Sequence, residues 1–345
     1  MRRAGIVLIS LISLFTLSDL KAQDPQFSQF YAAPLYINPA FTGASEYTRM
    51  GVNYRNQWPN LQSSFVTFSF YADHFMYKYN SGIGMIITTD REGHAGLQST
   101  NIGLSYAYQL KINDNLVFRP GIQYNYFNRN AGFQSLVFAN QIDPITGAID
   151  RTITDPSVAN RDLRVSFGDL SVGGVLYSRR LFLGAAVQHL TEPNQSIIGG
   201  DSPLPQRITL HGGIKFKIGR GPLRKDLTYT YAERSITPVF QYKQQGKFSQ
   251  LDVGAFVHLE PINLGIQYRG VPFNQFENFP NNEAIIFSLG VTTNNFNIGY
   301  SFDYTISDLG IEAGGAHEFS MAYFLNFNKP VKVPRDRWRI PCPKN

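Results

Sequence analysis

Cysteine is almost missing from this 345-residue chain: Cys342, near the C-terminal end, is the only one. No intrachain disulfide can form, and no cysteine follows the leader to carry a lipid. Charge is scarce as well, at 16% of residues against the ~25% usual for soluble domains. The net charge of +6 is diffuse outside residues 329–345 and gives no reason to expect a nucleic-acid partner. Beyond residue 22 no apolar run approaches the ~18 residues that a membrane helix needs. What the chain does have is aromatic residues, 27 Phe and 19 Tyr.

Residues 1–22 read as a secretory signal peptide. Arg2 and Arg3 form a positive start, 6–17 a short apolar core, and Leu20-Lys21-Ala22 a small residue before a cut ahead of Gln23. An exported, aromatic-rich chain with no membrane helix fits an outer-membrane β-barrel; a large secreted β-sandwich is the alternative.

From Tyr47 on, apolar and small polar residues alternate. Period two predicts strands at 48–57, 64–75, 82–90, 100–110, 116–128, 169–177, 181–190, 207–218, 236–244, 250–259, 262–270, 284–293, 296–307 and 316–328. Met50, Val52 and Tyr54 stand opposite Gly51, Asn53 and Arg55; Ile102, Leu104 and Tyr106 stand opposite Asn101, Gly103 and Ser105. These are roughly fourteen strands of about ten residues, the length a tilted membrane strand requires. The polar face is Gly, Ser, Asn and Gln rather than the Lys and Glu of a soluble sandwich. The expected fold is therefore an all-β transmembrane antiparallel barrel over 47–328. Short connections alternate with long ones, 129–168 and 191–206. Placing short turns in the periplasm and an even strand count puts both termini there. The connector 219–235 is long for its side.

Two segments flank the barrel. Residues 23–46 hold Phe27, Phe30, Tyr31, Tyr36 and Phe41 with a single formal charge, Asp24. Pro25, Pro34 and Pro39 forbid a long helix. Such a segment needs a wall to cover it, and a place inside or under the barrel mouth, as a partial plug, is expected. Residues 329–345 form a basic, proline-broken tail, expected to be extended in the periplasm. Its Arg335, Arg337 and Arg339 are the candidate partner-binding residues; a solvated tail near anionic headgroups is the other reading.

Signals for catalysis fail one by one. His317-Glu318 opens like a zinc-protease helix, but Met321 stands where the second histidine belongs. Asp73 and His74 are strand neighbours and point to opposite faces. Gly168 to Gly173 misses the nucleophile-elbow spacing. Arg269 and Asp303 are placed to meet in the lumen, as a structural network or, less simply, a substrate site. Gln57-Trp58-Pro59 suits an interfacial anchor at the start of a loop. No catalytic residue, metal or cofactor is expected.

Gln26-Phe27-Ser28-Gln29-Phe30-Tyr31, followed by Leu35-Tyr36-Ile37-Asn38-Pro39-Ala40-Phe41-Thr42-Gly43, resembles the N-terminal signature of the PorP/SprF family. Those are outer-membrane proteins of the type IX secretion and gliding machinery of Bacteroidetes. Three more blocks match in order: Tyr54-Arg55-Asn56-Gln57-Trp58-Pro59, Ile298-Gly299-Tyr300-Ser301-Phe302-Asp303-Tyr304, and Gly314-Gly315-Ala316-His317-Glu318. Residues 128–201 carry no such block. The resemblance implies a barrel that assists export or surface attachment of a large secreted surface protein, alongside periplasmic secretion-machinery proteins. The alternative is an outer-membrane channel for small solutes, gated by 129–168.

Overall fold

The structure, a computed structural model, describes residues 24–45, 48–62, 64–93, 96–132, 137–150, 152–153, 163–197, 199–218, 234–276, 279–293, 295–307, 310–325 and 340–343. For 272–276 and 279–281 only the backbone is described. The predicted leader, most of the connector 219–235, and Arg335, Arg337 and Arg339 lie outside these residues.

The period-two segments form β1 (Thr48–Gln57), β2 (Phe65–Met76), β3 (Ser81–Glu92), β4 (Leu97–Tyr108), β5 (Leu110–Asn113), β6 (Leu116–Ala131), β7 (Arg164–Tyr177) and β8 (Leu181–Gln188). The second half supplies β9 (Arg207–Ile214), β10 (Phe216–Lys217), β11 (Arg234–Gln245), β12 (Phe248–Leu259), β13 (Ile262–Phe276), β14 (Phe279–Thr292), β15 (Phe296–Thr305) and β16 (Ala316–Leu325). All pairings are antiparallel, and β1 pairs with β16, so the sheet closes.

β5 continues β4 along β6, and β10 continues β9 along β11. Each break falls beside a proline, Pro120 in β6 and Pro238 in β11, whose ring nitrogen has no hydrogen to give the ladder. Counted through these breaks, the barrel has the fourteen strands expected.

The side-chain alternation also holds. Leu104, Leu289 and Ile266 face outward and are 62%, 54% and 54% exposed, the lipid-facing set. Asn53, Ser69, Ser301 and Gln267 face inward and are buried. Tight turns at 77–80, 114–115, 178–180 and 260–261 share one end of the barrel, the turn end, with Thr48 and Leu325. The opposite loop end carries 132–163 and 189–206.

Strands run further toward the loop end than alternation predicts. β6 and β7 stay paired through Asn128↔Ser166 and Asn130↔Arg164. Past the lipid band the outward face no longer has to be apolar, so the pattern fades while the backbone ladder continues.

The 24–45 segment lies in the lumen. Three short helical turns, Phe30–Ala32, Pro34–Ile37 and Pro39–Phe41, carry it. Pro34 and Pro39 each open a turn, where the missing N–H costs nothing. Asn38 Oδ1 accepts from the Ala40 N–H at 2.9 Å and caps the last turn. Phe27, Phe30, Leu35, Ile37 and Phe41 are all buried. Each contributes about 1.5–3 kcal/mol for leaving water. Asp24 lies at the loop end, beside the ends of β8, β9 and β11, whereas Gly43 touches the turn end of β3. The segment therefore crosses the lumen. The starts and ends of the ring, Thr48 and Leu325, share one side as expected, but Asp24 does not lie with them.

Candidate functional site

The quoted sequence blocks lie up to 290 positions apart along the chain, yet four of their residues meet at one point in the lumen. Ser28 is the centre. Its N–H donates to Glu318 Oε2 at 2.6 Å, and its hydroxyl donates to Asp303 Oδ2 at 2.6 Å. The same hydroxyl oxygen accepts from Arg55 Nη1 at 2.6 Å and Arg269 Nη2 at 3.0 Å. Arg55 also pairs with Asp303 at 3.0 Å and with Glu318 at 3.4 Å. Arg269 bridges Asp303 at 2.8 Å and Asp252 at 2.9 Å.

Gln29 extends the contact. Its N–H donates to Glu318 Oε1 at 3.0 Å, and its side chain spans Ser301 and Ser320. Arg55, Arg269, Asp252, Asp303 and Glu318 are each at most 2% exposed. Alternation makes this possible, because it points all five inward from β1, β12, β13, β15 and β16. Charges so buried are tolerable only when paired, and removing one partner from such a set costs about 3–5 kcal/mol.

A second anchor holds Asp24 at the loop end. Its carboxylate meets His189 Nε2 at 2.7 Å and Arg207 Nη1 at 2.9 Å. The other nitrogen of His189 faces Asp169 at 3.0 Å, and the Thr191 hydroxyl donates to the same carboxylate at 2.9 Å. Burial works against a charged Asp24, but His189 and Arg207 overcome it and hold the carboxyl well below the usual carboxylate range. Burial also opposes charge on His189, which lies past the end of β8. Asp24 and Asp169 outweigh that and raise it to about 9.

A third set holds the exit. Arg119 donates to the carbonyls of Ala40 and Thr42, Asp73 accepts from the Gly43 N–H at 2.7 Å, and the Thr42 hydroxyl donates to Ser105 at 2.8 Å. Gly121 is needed here: a Cβ on it would stand 2.4 Å from the Ala40 nitrogen. Gly82 likewise makes room, since a Cβ there would stand 2.2 Å from the Thr42 carbonyl oxygen.

The other predicted residues spread around these anchors. Gln26 donates to Glu283 at 2.7 Å. Phe27 stacks edge-on with Tyr36 at 5.1 Å, and Tyr31 with Phe256 at 4.5 Å. Asn38 donates to the carbonyls of Gly174 and Ala185. Pro39 and Phe41 are buried beside β6 and β9. Gln57 accepts from Arg55 at 3.2 Å. Trp58 begins the loop, packs edge-on against Phe65 and donates its N–H to Gly315 at 2.7 Å, which brings Pro59 beside Gly314. Tyr304 and His317 face outward instead; His317 bonds the Tyr300 hydroxyl at 2.7 Å.

Arg269 and Asp303 do meet, as their positions suggested. Asp24, His189, Arg207, Arg119 and Asp73 had no such signal, although alternation puts Arg119 and Asp73 on the inward face. Among the described residues no group of three or more His, Cys, Asp or Glu is arranged to hold a metal ion.

The lumen thus holds one traversing segment on three polar anchors. Residues 19–323 match the family model described as type IX secretion system membrane protein PorP/SprF. The chain belongs to the PorP/SprF family. No curated protein matches it. Among solved structures, the toluene transporter TbuX of Ralstonia pickettii aligns with TM-score 0.49 and 11% identity, over 86% of this chain and 94% of its own. Omp33 of Acinetobacter baumannii aligns with TM-score 0.43 and 7% identity, over 82% of this chain and all of its own. The fold rests on the strand pairing and needs no support from likenesses this distant. Family and fold together make the PorP/SprF chain an outer-membrane barrel and a membrane component of type IX secretion.

Proposed function

We propose that this PorP/SprF barrel serves one or a few large surface proteins, helping to export them or to hold them at the cell surface, with its loop end outside. The observation that carries this reading is an ordered hairpin in the longest loop. Asp143 Oδ1 accepts from the N–H groups of Ile145 and Thr146, and Ile142 pairs with Ile149. The hairpin presents Ile142, Ile145 and Ile149 at 43%, 93% and 54% exposure, and Ile153 beyond it is 42% exposed. Exposed isoleucines on a shaped loop fit a protein surface better than they fit water.

The turn end then faces the periplasm, where Arg335, Arg337 and Arg339 serve as the strip for machinery proteins. The small-solute channel is the weaker reading, because the anchored segment occupies the lumen that solutes would need.

Deleting residues 139–150 tests the proposal. Barrel assembly should be unchanged, while one or a few large proteins disappear from the surface fraction and accumulate in the cell. Quantitative mass spectrometry of surface and whole-cell fractions reads both. An intact surface proteome in a strain lacking the whole gene would remove the secretion role for any partner.

A further inference from the structure

β16 leaves the sheet at Leu325 at the turn end, and Ile340–Pro343 lie back inside the same mouth. Residues 326–339 could bridge roughly 50 Å if extended, so the return is within reach. Pro341 is buried, and Ile340, Cys342 and Pro343 are half-buried. Ile340 and Cys342 pack on the apolar cluster that contains Phe30, Ile37, Phe41 and Phe182. Together with that cluster they line a cavity of ≈ 480 Å³ beneath the plug.

We propose that the apolar wall around this cavity is a seat for residues 340–343: Ile340-Pro341-Cys342-Pro343 is a tethered stopper that narrows the turn-end mouth and supports the plug from below. The chemistry suits the place. Two of the four residues are prolines and bring no N–H that an apolar pocket would leave unpaired. Prolines also pre-set an extended backbone, so little conformational freedom is lost on docking. Ile340 offers a branched apolar side chain to the aromatic wall. Arg49, which also lines the cavity, is engaged by Asp73 at 2.8 Å and so does not stand as a bare charge against the stopper. The inference is independent of the secretion reading, since it concerns how the barrel closes and not whom it serves.

Cys342 is the only thiol, and it reports directly on the seat. Burial pushes it up to about 12, which keeps it as the unreactive thiol near neutral pH. In detergent-solubilised full-length protein, maleimide labelling of Cys342 is expected to be at least about tenfold slower in the folded barrel than in the urea-unfolded chain. Ile340→Asp puts a charge into the apolar seat and should bring the folded rate close to the unfolded one, while heat-modifiable gel migration still shows a barrel. Equal rates in the folded and unfolded wild type would overturn the proposal, as would an Ile340→Asp chain that stays protected. If that variant does not fold, a chain ending at Arg339 decides. Amide exchange over Phe30–Phe41 should then quicken, and unchanged exchange would overturn the stopper.

Discussion

The two halves of the lumen hold the same segment by different physics. Toward the loop end, Ser28 and Asp24 are gripped by buried ionic sets whose geometry leaves one arrangement. Toward the turn end, Phe30, Ile37 and Phe41 lean on Val117, Tyr177, Phe182 and Phe256 around a cavity, and the charged side chains there, Arg119 and Asp73, hold only the backbone of residues 40–43. Directional charge pairs tolerate little displacement, whereas apolar contact beside a void tolerates some. The comparison teaches that the plug is fixed most firmly above and is compliant below where its apolar stretch adjoins the cavity, between the ionic grip and the backbone contacts at residues 40–43. Any opening of the lumen should begin at the turn end.

Cutting the ionic grip should have the largest effect. Asp303→Ala leaves Arg55 and Arg269 short of a partner and is expected to weaken plug docking by about 3–5 kcal/mol. Hydrogen exchange over residues 24–45 in micelles would read this as a loss of protection at Ser28 and Gln29. Protection equal to the wild type would abolish the distinction between the halves.

The apolar half should respond less. Phe41→Ala removes a large side chain from a site that already adjoins empty space, so the cost should fall at the low end for such a truncation, about 3 kcal/mol. Its exchange signature should stay local, with Phe30–Gly43 loosened and Asp24 unaffected. A uniform loss along the whole segment would show that the plug moves as one body.

The smallest effect is pH-dependent and confined to the loop end. His189 is raised from 6.5 to about 9, so its contribution is complete below pH 6.5 and is lost as pH rises through about 9. Asp24 is depressed, so it stays ionised throughout that window. Alkaline pH should therefore release Asp24 from His189 while Arg207 keeps a partial hold. Exchange at Asp24 and Gln26, corrected for the intrinsic rate, should quicken between pH 8 and 10 in the wild type only; His189→Asn should flatten the profile.

Much of the architecture was legible because alternation is local. Strand β1 follows the period-two pattern over its whole length, and so does the inward–outward split in β4 and β15. The ladders above the lipid band were not legible, since at the start of β7 the apolar residues Val165 and Phe167 face inward and the outward positions are Arg164, Ser166 and Gly168, the reverse of the lipid-band pattern. Contacts across the lumen were legible only where two strand faces already pointed together, as with Arg269 and Asp303. Ser28 meeting Arg55, and Asp24 meeting His189, join positions 27 and 165 apart through a folded segment, and nothing local in the sequence encodes its path. Gly82 and Gly121 were readable as small inward residues; that a backbone passes over each of them was not.

The seam of the ring carries a consequence for assembly. β1 and β16 are the first and last strands, and in their pairing Arg55 lies directly opposite Glu318. Ser28 bonds both. An open ring would leave each of these charges facing the other only across a gap, and an empty seam would leave Glu318 without the two N–H groups it accepts from Ser28 and Gln29. Joining the first strand to the last and threading residues 24–45 through the ring satisfy the same atoms, so the molecule has, in effect, a zip whose slider is a segment of its own chain.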